Sequence, residues 1–417
     1  MSRSIGVALC TVILATVAAT SGASETDGGE HEGTWNHGGL LEWVAAIGDE
    51  ESPYDELESV KSFERLQQSI EEVKQLVLHD AQTEQEAVEG LRMILKHLAS
   101  STNDAINADL MNPLIAKGDP RNRDIGAYNP DAEYDQARID GHYDYKLTGN
   151  LGTVTYVSIT VNATSPGKLS EVVAYLNDPA IREHADANGD FALWLTKQKP
   201  EEPGAWVELP DSADGVVIRQ YVADRSRDTL ARFAIEAVGD RLPNVETTTD
   251  LEIAGILAKT ASYLLVSSTW HRTLLPQMRE TPNQFVSSHA TAIGASAANG
   301  ENYYQMAYYE LGDGEALVVD FEPPDTVYWN LTSATIWHES HRYLTDPVTM
   351  TSSEARRGDN GSVRFVLART DPGHPNWIKT FGHERGFLIL RMVGVEKHPL
   401  PTTQRVPLSE IPAELGG

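Results

Sequence analysis

A chain of 417 residues can form two or three domains with a sizeable core. Hydrophobic residues make up 41%, which excludes a wholly disordered chain. Acidic side chains outnumber basic ones 61 to 33, and the net charge of −28 repels phosphate backbones and anionic bilayers, so no nucleic-acid partner is expected.

The N-terminus has the layout of an export signal. Arg3 is followed by the apolar run Ile5–Ala19 and by small residues Ser21, Gly22 and Ala23 before Ser24. Residues 1–23 are therefore expected to be removed, placing the protein in the periplasm or outside the cell; an uncleaved anchor is the alternative. No later segment reads as long and apolar enough to span a membrane. Cys10 is the single cysteine and lies within the signal. A mature chain would then have no disulfide, thiolate metal site or cysteine nucleophile.

Residues 24–52 form an acidic, Gly- and Ser-rich leader. Residues 53–120 are expected to be helical. Leu57, Val60, Phe63, Leu66, Ile70, Val73 and Val77 make one apolar stripe. Thr83 and Glu86 form a capping box, after which Val88, Leu91, Leu95 and Leu98 are expected to be the buried stripe. Residues 121–245 read as a β-rich domain, with strands in DYKLTGN and TVTYVSITVNAT joined by a tight turn, then FALWLT, GAWVEL, GVVIRQYVA and LARFAIEAV. Residues 246–300 hold a connecting helix capped by Thr249 and Glu252, followed by a polar loop. Residues 301–417 contain five strand candidates: YYQMAYYEL, EALVVDF, TVYWNLTSATIW, SVRFVLAR and GFLILRMVGV. The fold class is thus mixed and mainly β, with sandwiches or jelly rolls flanked by helices.

The spacing of PPD, YWN, WHES, DPGHPNW and GHERG between Glu315 and Pro399 resembles the bacterial domain-of-unknown-function family 1214, often paired with the family 1254 domain. NPDAEYDQARIDGHYDYKLTGNLGTVTYVS and Tyr303-Tyr304 extend the resemblance more weakly upstream. The resemblance implies a C-terminal jelly roll, a second sandwich in the middle and a helical portion. It implies no reaction. WHESHRYLTDPVTM departs from the aromatic-rich Asp-Tyr-Arg stretch expected after the Glu-Ser.

Candidate chemistry lies in two constellations. Trp337-His338-Glu339-Ser340-His341-Arg342 follows a strand, and alternation places Trp329, Ser333, Thr335 and Trp337 on one face. His338 and His341 are three apart, one short of the zinc-protease spacing. A metal at Glu339, His341 and His383 is a lesser alternative, and no metal or cofactor is assigned. Asp371–Trp377 and Gly382–Gly386 form the second constellation, with His383 as a candidate acid or base. Arg391, in an apolar strand, either pairs with a carboxylate such as Glu339 or Asp320 or binds an anionic ligand group. Asp186, Asn188 and Asp190 resemble the start of a calcium loop but lack its Gly and final Glu, so a polar turn is expected.

The leading expectation is a small-molecule protein with a largely apolar ligand in a sandwich cavity. Trp329, Trp337, Tyr304 and Trp377 would line it, and His383, Glu339, His341 and Arg391 would supply chemistry. The alternatives are a non-catalytic binder of sugars or lipids and a cell-envelope interaction module. Oligomeric state is left open.

Overall fold

A computed structural model describes residues 52–106, 109–110, 112–118, 126–164, 170–239, 248–273, 277–289, 301–340 and 342–411. The chain divides into two compact units, residues 1–61 and 62–417, and among the described residues every strand belongs to the second. The export segment, nearly all of the leader, loop 290–300 and His341 lie outside the described residues.

The described residues contain eighteen strands in four sheets. The fold is mainly β, as the sequence suggests. In the first sandwich, one sheet runs in the order β1 (Ala116–Lys117), β2 (Ala132–Arg138), β8 (Gly215–Tyr221), β4 (Tyr156–Ala163) and β5 (Glu171–Leu176). Its partner runs β7 (Ala205–Glu208), β6 (Asp190–Thr196), β3 (Asp144–Asn150) and β9 (Arg232–Val238). Alternation sorts the side chains. Val216, Ile218, Val157, Ile159 and Val161 face Leu147, Leu193 and Leu195 in the core. Each such buried side chain contributes roughly 1.5–3 kcal/mol. The opposite face of β4 and β8 carries Ser158, Thr160, Arg219 and Tyr221, all buried.

The tight turn expected between DYKLTGN and TYVSITVNA does not make a hairpin. β3 pairs with β6 and β9, whereas β4 pairs with β5 and β8, so the connection crosses from one sheet to the other. The Asp186–Asp190 segment is a polar turn, in which Asp186 Oδ1 accepts the backbone N–H groups of Asn188 and Asp190.

The second sandwich has one sheet ordered β10 (Phe285–His289), β11 (Asn302–Glu310), β17 (Arg385–Val393), β13 (Trp329–Ala334) and β14 (Thr349–Thr351). The other is β16 (Trp377–Lys379), β15 (Val363–Ala368), β12 (Glu315–Phe321) and β18 (Thr402–Pro407). All five strand candidates are present, and Leu331, Leu388 and Leu390 pack on Leu317, Val319 and Phe365 between the sheets. The first sheet is buried on its outer face too. Met306, Tyr308, Phe387 and Ile389 meet Val73, Val77, Met93, Ile94 and Leu264 from helices α1 (Glu58–Asp80), α2 (Glu84–Ile106) and α4 (Asp250–Ser268). The short α3 (Asp178–Glu183) belongs to the first sandwich. Burial on two faces explains why β17 reads as a continuous apolar run rather than an alternating one.

Helix α1 buries Leu66, Val73 and Val77 as its stripe requires, although Phe63 is exposed. Helix α2 is rotated from expectation. Val88, Leu91 and Leu95 are exposed, at 60%, 38% and 68%, whereas Glu86, Glu89, Gly90, Met93, Ile94 and His97 face inward. The capping box is only half formed: Thr83 Oγ1 accepts from Glu86 N, but the Glu86 carboxylate accepts from Gln82 N and from Arg385. At α4 the Thr249–Glu252 box is complete. Contrary to the sequence expectation, Asp250–Arg272 is long and apolar enough to cross a membrane by length and composition. Its Lys259 pairs with Asp214 of the first sandwich at 2.5 Å, and Leu264 packs in the core shared with α1 and α2.

Candidate functional site at a three-way junction

The structure separates the aromatic residues singled out in the sequence. Trp329 is inside the second sandwich, with its ring edge-on to Phe321 at 5.3 Å. β13 ends at Ala334, and the chain turns through Thr335–His338, where His338 has φ 58°. Trp337 therefore leaves the face of Trp329 and enters the helical layer, where its Nε1 donates to Glu86 O at 2.8 Å. Trp377 lies on the outer face of the other sheet and donates to Ala368 O. Tyr304 faces the helices. These four do not line one cavity.

His383 and Glu339 do come together. With Tyr309, Ser333, Lys379 and Thr380 they line a recess of about 10 Å³, the size that admits one water. Both are also tied to α2. His383 Nε2 is 3.1 Å from Glu89, and the wholly buried Glu339 meets Arg92 at 3.0 Å and Lys96 at 3.3 Å. Arg385 binds Glu86 through two hydrogen bonds, at 2.8 and 2.7 Å. Burial acts to raise the Glu86 carboxyl, but Arg385 holds it below its ordinary value. Three sets of polar contacts thus fix α2 on the sheet.

Arg391 is elsewhere. Neither Glu339 nor Asp320 is its partner, since Asp320 binds Arg364 at 2.7 Å. Its Nη2 donates to Ala127 O at 2.7 Å and Tyr128 O at 3.4 Å, and Nη1 donates to Thr332 Oγ1 at 3.2 Å. Those bonds hold the segment 126–131 where the first sandwich, the second sandwich and the helices meet. The same segment is fixed by Ala127 N–H donating to His338 O at 3.0 Å.

Tyrosines gather at this junction. Tyr128 stacks on Tyr134 with centroids 4.8 Å apart. Tyr134 on β2 is opposite Arg219 on β8, whose guanidinium lies over its ring at 5.7 Å. Arg219 Nη1 donates to Thr160 Oγ1 at 3.1 Å. Tyr304 on β11 is opposite Arg391 on β17, and its hydroxyl accepts from Asn302 Nδ2 at 3.2 Å. From α4, Tyr263 meets His97 edge-on at 5.3 Å and bonds Tyr128. Beneath them, Asn129, Asp131, Tyr328, Asn330 and Thr349 form a buried polar network joining the sandwiches.

Both arginines are 4% exposed, yet Tyr128, Tyr134, Tyr263 and Tyr304 are only half-buried. The neighbouring Tyr263 hydroxyl and then burial push the Tyr128 phenol well up; burial pushes up Tyr304, against the pull of Arg391 and Arg219. These two phenols remain protonated donors at neutral pH. The arrangement offers flat aromatic faces, hydroxyl donors and two guanidinium groups. Arg219, Tyr128 and Tyr263 belong to none of the motifs that stand out in the sequence, and Tyr134 lies only in the upstream stretch of weaker resemblance. The available signal is Arg219 within the apolar strand GVVIRQY, which parallels Arg391 in LILRMVG.

This double sandwich with a helical layer is found in a solved structure. An uncharacterised protein from Burkholderia cenocepacia is similar over 84% of this chain and 98% of its own, with a TM-score of 0.76 and 24% identity. Residues 295–397 match the family described as protein of unknown function (DUF1214), in agreement with the motifs between Glu315 and Pro399. A protein from Vibrio parahaemolyticus covers 75% of this chain and 97% of its own at a TM-score of 0.43 and 11% identity. No curated protein matches the chain.

Proposed function

We propose that the protein binds a small, largely apolar organic molecule at the three-way junction rather than inside either sandwich. The observation that carries this reading is the group of half-buried tyrosine rings, Tyr128, Tyr134 and Tyr304, beside the buried Arg219, Arg391, Asn129 and Tyr328. Domain junctions with aromatic side chains and a few fixed polar groups are where small ligands often bind. The two sandwich interiors are instead filled by packed side chains. A thermal-shift and calorimetric screen of small aromatic and aliphatic compounds tests the proposal. Tyr134→Ala and Tyr304→Ala should weaken any hit about tenfold, the range expected for a lost ring contact. A screen without hits, or hits indifferent to both changes, would sink it.

A second reading is turnover. His383 and Glu339 share a recess that admits one water, which favours a hydrolytic role there. If a substrate is converted at that recess, His383→Ala should abolish conversion and leave binding at the junction intact. On composition alone, residues 1–23 are further proposed as an export signal, which N-terminal sequencing of the mature protein would check at Ser24.

A further inference from the structure

Arg391 is a buried charge whose hydrogen bonds to described residues all end on neutral oxygens: Ala127 O, Tyr128 O and Thr332 Oγ1. Among the described residues the candidate carboxylates serve other partners. Glu339 is held by Arg92 and Lys96, and Asp131 accepts from Asn330 and Thr349. A guanidinium out of water is stabilised best by a carboxylate or other oxyanion that it can grip with two parallel N–H groups. Arg219 reaches the junction from the first sandwich: it lies over the ring of Tyr134, which stacks on Tyr128, whose carbonyl accepts from Arg391. Tyr304 is directly opposite Arg391 across β11 and β17.

We propose that the ligand of this junction is an organic anion. Its carboxylate or similar oxyanion sits between Arg391 and Arg219, with the Tyr304 hydroxyl donating to it. Its flat apolar body lies along the stacked rings of Tyr128 and Tyr134. The inference rests on the small-molecule reading above and adds the chemical class. It also explains how an acidic protein would select an anion: the net charge of −28 repels anions at long range, so only a ligand fitting the paired guanidinium groups is retained.

The test is titration calorimetry on the full chain with matched acid and alcohol probes: benzoate, 2-naphthoate and decanoate, each against its alcohol. At least one acid should bind tenfold or more tightly than its alcohol. Arg391→Gln should remove that preference. The wild-type comparison stands even if the variant fails to fold. Equal affinity for acid and alcohol overturns the anion inference and leaves the small-molecule reading intact. No binding of any probe overturns both.

Discussion

The indole of Trp337 lies against Gly90 of α2. A Cβ added at Gly90 would be 2.9 Å from Trp337 Cε2 and 2.5 Å from Val77 Cγ1. A glycine inside a helix is ordinarily a weakness, and alanine gains about 1 kcal/mol there. At this position the added methyl would push α2 off both α1 and the sheet. Gly90→Ala is therefore expected to lose stability, by roughly 1–3 kcal/mol for overpacking. Denaturant unfolding checks it: a gain in stability would show that the helix layer can slide.

The rotation of α2 makes two opposed predictions on one helix. Met93 is 1% exposed and Leu95 is 68% exposed. Met93→Ala should cost about 2–5 kcal/mol, and Leu95→Gln should stay within about 0.5 kcal/mol. A large loss at Leu95, measured by the same unfolding curves, would mean that something covers this face.

Burial holds His97 at about 4 and His338 at about 3, below the 6.5 of a free imidazole, and neither ring nitrogen of either residue has a hydrogen-bond partner among the described residues. Both are neutral in the folded chain at pH 6.5 and below, down to those values. The unfolded chain takes up the protons first. Stability is therefore full above pH 6.5 and falls as the pH drops from 6.5 towards 4, by about 1.4 kcal/mol per pH unit for each histidine. In His97→Phe the slope across that window should shrink by one proton, as read by chemical denaturation at several pH values. An unchanged slope would remove His97 from the account.

Much of the fold is legible from local pattern. The stripe at Leu66, Val73 and Val77, the Thr249–Glu252 cap and the strands around Val319, Phe365 and Ile389 depend on near neighbours in sequence. Helix α2 misleads because its inward face carries Glu86 and Glu89. Acids there look solvated until Arg385 and His383, about 300 residues later, supply the opposing groups. The pairing of His383 with Glu339 around one recess is partly legible, since both stand in dense polar motifs. The junction is not, because Tyr128 with Tyr134, Arg219, Tyr263, Tyr304 and Arg391 come from five separate segments. No local period links them.

The helical cover of the second sandwich leaves the ribosome long before the sheet it covers. Val77, Met93 and Trp337's contact at Glu86 wait for β17, which ends at Val393. Until then α1 and α2 lack the sheet that covers most of their apolar face, and the nascent chain shows that face to its surroundings. The matched family segment, residues 295–397, meets the reciprocal problem: cut out alone, it would expose Met306, Phe387 and Ile389. Neither the early helices nor this segment is a finished folding unit, so a holding chaperone that shields the helices should raise the yield of native protein.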